Sequence, residues 1–196
     1  DTETLVETAL EQLLLLRQQR RAVPLYLLEL GTGSGIIAIT LALEAPDTEV
    51  HAVERSPDAL AVAQQNAKAL RADNIHWHAG SWWQALASRR RFDLIVSNPP
   101  YIAANDHHLQ QGDLRFEPPQ ALAAGPDGLD DLRIIIGGAP THLNPGGWLL
   151  LEHGYDQEAP VQALLRDAGF ADVFTRRDLA GQPRVSGGQW LGDGRK

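Results

Sequence analysis

Apolar residues divide this chain into short, regularly spaced elements. Over residues 4–19, Leu5, Val6, Ala9, Leu10, Leu13, Leu14 and Leu16 recur at helical spacing, which predicts an amphipathic helix stopped before Pro24. Asp1-Thr2-Glu3 reads as the cap that opens it. Residues 25–30 form a nearly continuous apolar run ended by glycine, the pattern of a strand covered on both faces. A helix over 36–43, a strand over 49–53, a helix over 57–70 opened by Ser56 and Pro57, and strands over 75–78 and 92–97 follow. Residues 128–143 carry a helical pattern whose second half is interrupted by Gly137, Gly138 and Pro140. A strand over 147–152, a helix over 157–168 ended by Gly169 and a strand over 172–175 complete the series. The Pro/Gly-rich tail from Gly181 onward fits a final hairpin strand or a partly disordered end.

Strands alternating with helices, joined by right-handed crossovers, predict an α/β doubly wound fold with a parallel sheet. In such a fold ligands bind beyond the carboxyl ends of the strands. The chain has 196 residues, 43% of them hydrophobic, which suits one domain. The absence of cysteine excludes disulfides, thiolate metal sites and a cysteine nucleophile. A formal net charge of -8 argues against a broad nucleic-acid surface. The basic clusters Arg17, Arg20, Arg21 and Arg89 to Arg91 follow expected helices, where cations favour the helix C-terminus. No stretch reaches the roughly 20 apolar residues of a bilayer span, and no signal-peptide pattern opens the chain. A cytoplasmic protein is expected.

The unusual residues fall at the predicted strand ends. Glu29-Leu30-Gly31-Thr32-Gly33-Ser34-Gly35 ends the first strand and opens a helix. Glycine there lets the backbone turn tightly and approach a ligand. A dinucleotide fingerprint starting at Gly31 needs its third glycine at position 36, which is Ile36, so a nicotinamide cofactor fits poorly. Glu29 suits a cationic ligand better than a pyrophosphate. The loop resembles the first motif of class I methyltransferases, where the acidic residue faces the methionyl end of S-adenosylmethionine. Glu54, about 20 residues past the glycines and followed by Arg55, stands where a carboxylate can accept both hydroxyl hydrogens of a ribose. Ser81 occupies the position at which many relatives carry an adenine-binding Asp. Trp82 or Trp83 can stack on adenine instead, although packing in the core explains either equally well.

Asn98-Pro99-Pro100-Tyr101 directly follows the fourth strand, at the same end of the sheet. Two prolines fix the backbone and remove two donors, so the Pro99 carbonyl can face a substrate. The Asn98 side-chain carbonyl is a second acceptor, and Tyr101 offers a flat face. Together they suit a planar NH2 group whose nitrogen must be aimed at a methyl carbon. A plain Asn-Pro turn explains Asn and Pro but not the whole tetrapeptide. The motif resembles that of amino methyltransferases acting on adenine, guanine or glutamine.

Further segments choose among these: Asp113 to Pro118, Ala121 to Leu129, Gly146 to Gly154 and Asp178 to Val185. With the two loops they resemble, over essentially the whole chain, the release-factor glutamine methyltransferase (HemK/PrmC) family. The resemblance implies a mostly parallel, seven-stranded, Rossmann-like sheet, with residues 1–196 as the catalytic domain and a helix over 1–21 leading in. It implies S-adenosylmethionine as methyl donor, S-adenosylhomocysteine as product, and a class I peptide-chain release factor as protein substrate, its Gly-Gly-Gln glutamine held by Asn98 and Pro99. A small helical N-terminal domain that grips the release factor is expected to lie outside this sequence. Two departures are Ser81 in place of Asp and Ser186-Gly187-Gly188-Gln189 where a Gly-Arg ending is usual. Phe116 and Glu117, beside Arg115, are expected to pack behind the acceptor tetrapeptide and shape the peptide entrance. His107, His108 and His153 are expected at the solvated substrate edge, with no metal in the chemistry. Rival readings are an amino methyltransferase of nucleic acid and a non-catalytic domain that binds S-adenosylmethionine.

Overall fold

The structure, a computed structural model, describes residues 2–19, 24–87, 90–101 and 125–192. Its elements are α1 (Thr2–Gln19), β1 (Leu25–Leu30), α2 (Ile36–Glu44), β2 (Thr48–Glu54), α3 (Pro57–Leu70), β3 (Ile75–Ala79), a 3-10 turn (Trp82–Ala85), β4 (Phe92–Ser97), α4 (Asp130–His142), β5 (Leu143–Glu152), α5 (Glu158–Asp167), β6 (Ala171–Arg177) and β7 (Pro183–Trp190). The strands form one seven-stranded sheet in the order β3-β2-β1-β4-β5-β7-β6. The first five pair in parallel, and β7 lies antiparallel to both neighbours. The order reverses at β1, so the ends of β1 and β4 flank the crevice where a doubly wound fold binds ligands.

Alternation along β1 builds two cores at once. Leu25 and Leu27 face a layer made with Leu5, Ala9, Leu13 and Leu16 of α1 and the apolar side of α2. Leu28 and Leu30 face the layer under α4 and α5, with Ile135, Ile136, Val161 and Leu165. Burying each such leucine contributes about 2 kcal/mol, which keeps the strand ends in fixed positions.

Two elements refine the sequence reading. Helix α4 runs through Gly137, Gly138 and Pro140 to His142. Gly138 is needed there, because a Cβ would lie 2.1 Å from Nε1 of Trp83. Pro140 lies inside the helix two residues before its end and removes one backbone donor there. Strand β5 begins at Leu143, and its pairing with β4 jumps from Phe92↔Leu143 to Leu94↔Trp148. Asp93 holds that irregularity together, accepting from Asn144 Nδ2 at 2.8 Å and from the backbone of Tyr26 at 2.9 Å.

The tail is an ordered strand inserted between β5 and β6. Gly187 and Gly188 have a packing reason: a Cβ on the first would meet Leu150 Cδ2 at 2.6 Å, and on the second Phe170 Cβ at 2.8 Å. Gln189 donates to the carbonyl of Gly146 at 3.1 Å. The Gly-Gly-Gln string within this chain is therefore strand packing. Among the described residues no helix is long and apolar enough to cross a membrane.

Candidate active site

Gly31, Gly33 and Gly35 all have positive φ, at 74°, 55° and 85°. The backbone amides of Gly31 and Thr32 both donate to the carbonyl of Val53, tying the loop to β2. Each glycine meets different surroundings. A Cβ at Gly35 would press on Ala63 Cβ at 3.0 Å, so this position lets α2 approach α3, whereas a Cβ at Gly33 would meet nothing within 4 Å. Open space above a left-handed glycine is room for a ligand.

Glu54 is fastened beside that space. Its Oε2 accepts from the Gly33 backbone at 2.8 Å and its Oε1 from the Ser56 backbone at 2.8 Å. Each oxygen retains a lone pair, as binding a ribose requires. Glu29 is buried, and its Oε2 accepts from the hydroxyl of Thr32 and from the Ala38 backbone. Burial pushes its carboxyl up to about 8, against the pull of those hydrogen bonds. A cation in the site would favour its ionised form.

Ser81 precedes the 3-10 turn just past the end of β3, at the same end of the sheet as the glycine loop. The two tryptophans separate cleanly. Trp82, at φ 45°, has its ring within 3.2 Å of where a Gly31 Cβ would be. Trp83 stacks on His142 at 4.6 Å and donates to the carbonyl of Ile134 at 2.9 Å, so its ring is committed to packing against α4. Arg55 is exposed, and its charge bears on half-buried Asp131.

At the end of β4, Asn98 is half-buried and Pro99 buried. The Asn98 NH2 donates to the hydroxyl of Thr2 at 3.4 Å, so its carbonyl oxygen is not spent on that contact. Gln157 clasps the exit of the loop, donating to the Tyr101 carbonyl at 2.9 Å while its Oε1 accepts from Gly154 at 2.9 Å. The Tyr101 hydroxyl donates to Glu152 Oε1 at 3.4 Å. Burial, then the Glu152 carboxylate, holds that phenol above its usual range. Burial also raises the Glu152 carboxyl, with Arg184 pulling it down.

Thr2, Glu152 and Gln157 were not anticipated. Only Glu152 left a trace in the sequence, as the polar residue ending an apolar strand. His153 corrects the expectation of a solvated residue: it is wholly buried, with Nε2 at 2.8 Å from Ser186 Oγ and Nδ1 at 2.8 Å from the Gly154 carbonyl. Phe116, Glu117, His107 and His108 lie outside the described residues.

The fold also joins Glu49, His51 and His76 away from this site. The signal was the alternate-residue pair Glu49 and His51 beside His76 and His78 on the next strand. His51 Nε2 is 3.0 Å and His76 Nε2 3.4 Å from Glu49 Oε1. Arg90 already holds that oxygen at 2.8 Å, and the His51 and His76 rings stack at 15° rather than converging on a common point. Burial lowers His51 to about 4, so it is neutral near pH 7.

Comparison with known proteins gives the class and the family. The family model described as Methyltransferase small domain matches residues 10–116. The chain superposes on a methyltransferase from Pyrococcus furiosus with a TM-score of 0.66 at 19% identity, covering 96% of this chain and 83% of that one. It is 52% identical over 192 residues to the release factor glutamine methyltransferase of Xylella fastidiosa (strain Temecula1), covering 98% of this chain and 67% of that protein. Identity to the protein of that name from Bordetella pertussis is 55% over 188 residues, covering 96% and 67%. The fold and the matching family model define a class I methyltransferase dependent on S-adenosylmethionine. Within that class, the chain belongs to the release factor glutamine methyltransferase family.

Proposed function

We propose that this enzyme methylates the side-chain amide nitrogen of the glutamine in the Gly-Gly-Gln loop of a class I peptide-chain release factor. The observation that carries the reading is Asn98, whose NH2 is anchored on Thr2 beside the rigid Pro99-Pro100 backbone. An acceptor built this way presents two oxygens, those of Asn98 and Pro99, to the two hydrogens of a planar NH2. Each strengthens its hydrogen bond as the nitrogen becomes pyramidal and cationic.

Gly31, Thr32, Gly33 and Gly35 would cradle S-adenosylmethionine, with Glu54 on the ribose, Ser81 and Trp82 at the adenine, Arg55 at the rim and Glu29 toward the charged methionyl end. When bound, that molecule supplies an electrophilic methyl group. The chain's own contribution is to aim the nitrogen and to exclude water, since no strong base is needed before transfer. Phe116 and Glu117 remain candidates for the peptide entrance. Release factors act at the ribosome, so this reading implies the cytoplasm.

The test is mass spectrometry of a release factor incubated with the chain and S-adenosylmethionine, alongside RNA and DNA in a radioactive methyl-transfer assay. One added methyl on the Gly-Gly-Gln peptide is expected. Label in nucleic acid alone would move the acceptor to adenine or guanine, and cofactor binding without label in any acceptor would leave a non-catalytic domain.

A further inference from the structure

Glu152 has no role in the chemistry so far, yet it stands beside the acceptor loop. The pairing Ser97↔Leu151 between β4 and β5 places the next residues, Asn98 and Glu152, side by side at the strand ends. Glu152 is 2% exposed. One of its oxygens accepts from the Tyr101 hydroxyl, while the other, Oε2, is buried without a hydrogen-bond partner. A buried carboxylate oxygen without a donor is costly, so its presence here calls for an explanation.

We propose that Tyr101 and Glu152 form the proton exit of the methyl transfer. The inference rests on the reading that the acceptor is an amide NH2 held at Asn98. As the amide nitrogen takes the methyl group, the nitrogen–carbon bond forms from its electron pair and the sulfur–carbon bond breaks with its pair left on sulfur. The nitrogen, now cationic, must lose one of its two hydrogens as a proton. The Tyr101 oxygen accepts that proton on a lone pair and passes its own phenolic proton to Glu152 Oε1. Tyr101 ends neutral, and Glu152 ends as a carboxylic acid that later releases the proton to solvent. Tyr101 is thus a catalytic residue, and Glu152 acts through it.

The surroundings suit this use. Arg184 from β7 pulls the Glu152 carboxyl down against the larger rise that burial imposes. The adjacent His153 turns its ring to Ser186 and does not compete. Burial makes Glu152 a stronger proton acceptor than an exposed carboxylate.

Glu152→Gln keeps the shape and can still accept from Tyr101, but it cannot take up a proton. The experiment measures single-turnover methylation of a Gly-Gly-Gln peptide from pH 5 to 9, with S-adenosylhomocysteine affinity by calorimetry. The wild type should slow as falling pH protonates Glu152. Glu152→Gln should be tenfold or more slower, with that acid limb gone and affinity unchanged. Tyr101→Phe should lose as much, the double variant no more, and Glu152→Asp should recover part of the rate. Without any ligand, the phenol absorbance assigned by Tyr101→Phe should titrate at lower pH in Glu152→Gln, because a neighbouring negative charge is gone. An unmoved phenol, or a Glu152→Gln rate and acid limb equal to wild type, overturns the relay alone. A wild-type chain that methylates no glutamine overturns relay and acceptor assignment together. Should Glu152→Gln misfold, Tyr101→Phe with its rate and pH profile decides the matter.

Discussion

The backbone amide of Gly33 donates to Oε2 of Glu54 at 2.8 Å, joining the tip of the glycine loop to the end of β2. Cofactor shape and ribose recognition are therefore one unit. Glu54→Ala should weaken S-adenosylmethionine and S-adenosylhomocysteine alike, by about tenfold or more, because it removes acceptors for two hydroxyls and frees the loop. Glu54→Gln should lose less. Isothermal calorimetry with the product decides, and unchanged affinity in the alanine variant means that the ribose lies elsewhere.

Gly33 and Gly35 look equivalent in sequence but should fail differently. An alanine at Gly35 adds a methyl 3.0 Å from Ala63 Cβ at φ 85°, so Gly35→Ala should lower the melting temperature by several degrees. Gly33→Ala meets open space at φ 55°, so its stability loss should be smaller while cofactor affinity falls. Melting curves paired with calorimetry test the division. A Gly33→Ala chain that binds the cofactor normally would remove the ligand from that space.

What could be read from the sequence was local chemistry. The glycine loop and the acceptor tetrapeptide each carry their geometry within a few consecutive residues, as turn sterics and fixed proline torsions. Thr2 and Asn98 meet across 96 positions, and His153 and Ser186 across 33, so their contacts follow from α1 crossing the sheet and β7 entering beside β5. Nothing in their immediate neighbours signals either. The tail left a choice between a hairpin strand and disorder for a related reason: its glycines look like loop residues until the side chains of Leu150 and Phe170 fill the space above them. Trp82 and Trp83 were indistinguishable because the choice lies with Gly31 on one side and Gly138 on the other.

Glu29 sets a pH dependence on stability. Its folded-state value of about 8 lies above the ordinary 4.5, so the native state binds more protons between those limits. Stability from this group is present below pH 4.5 and is lost as pH rises through 8. Glu29→Gln, neutral throughout, should melt several degrees higher than wild type at pH 9 and nearly together with it at pH 4. It should also weaken a cofactor carrying positive charge. Melting curves that stay parallel across this range would show that Glu29 is not held protonated by its burial.

Asn98 makes the sharpest demand, because two jobs meet in one side chain. Its NH2 donates to Thr2 and its carbonyl is assigned to the substrate. Asn98→Ala removes both, and turnover should fall by about two orders of magnitude or more, as for loss of a preorganised polar group. Cofactor affinity should change little. Asn98→Asp keeps two acceptors but loses the donor to Thr2, so it should retain partial activity if accepting from substrate is the main role. Thr2→Val removes the anchor alone while keeping a β-branched shape. It should cost less than Asn98→Ala, since the rigid Pro99-Pro100 backbone still holds the loop. Equal loss in Asn98→Ala and Asn98→Asp, matched by Thr2→Val, would make anchoring the whole function of Asn98. Parental rates of glutamine methylation in folded Asn98→Ala would mean that the acceptor binds somewhere else on the sheet.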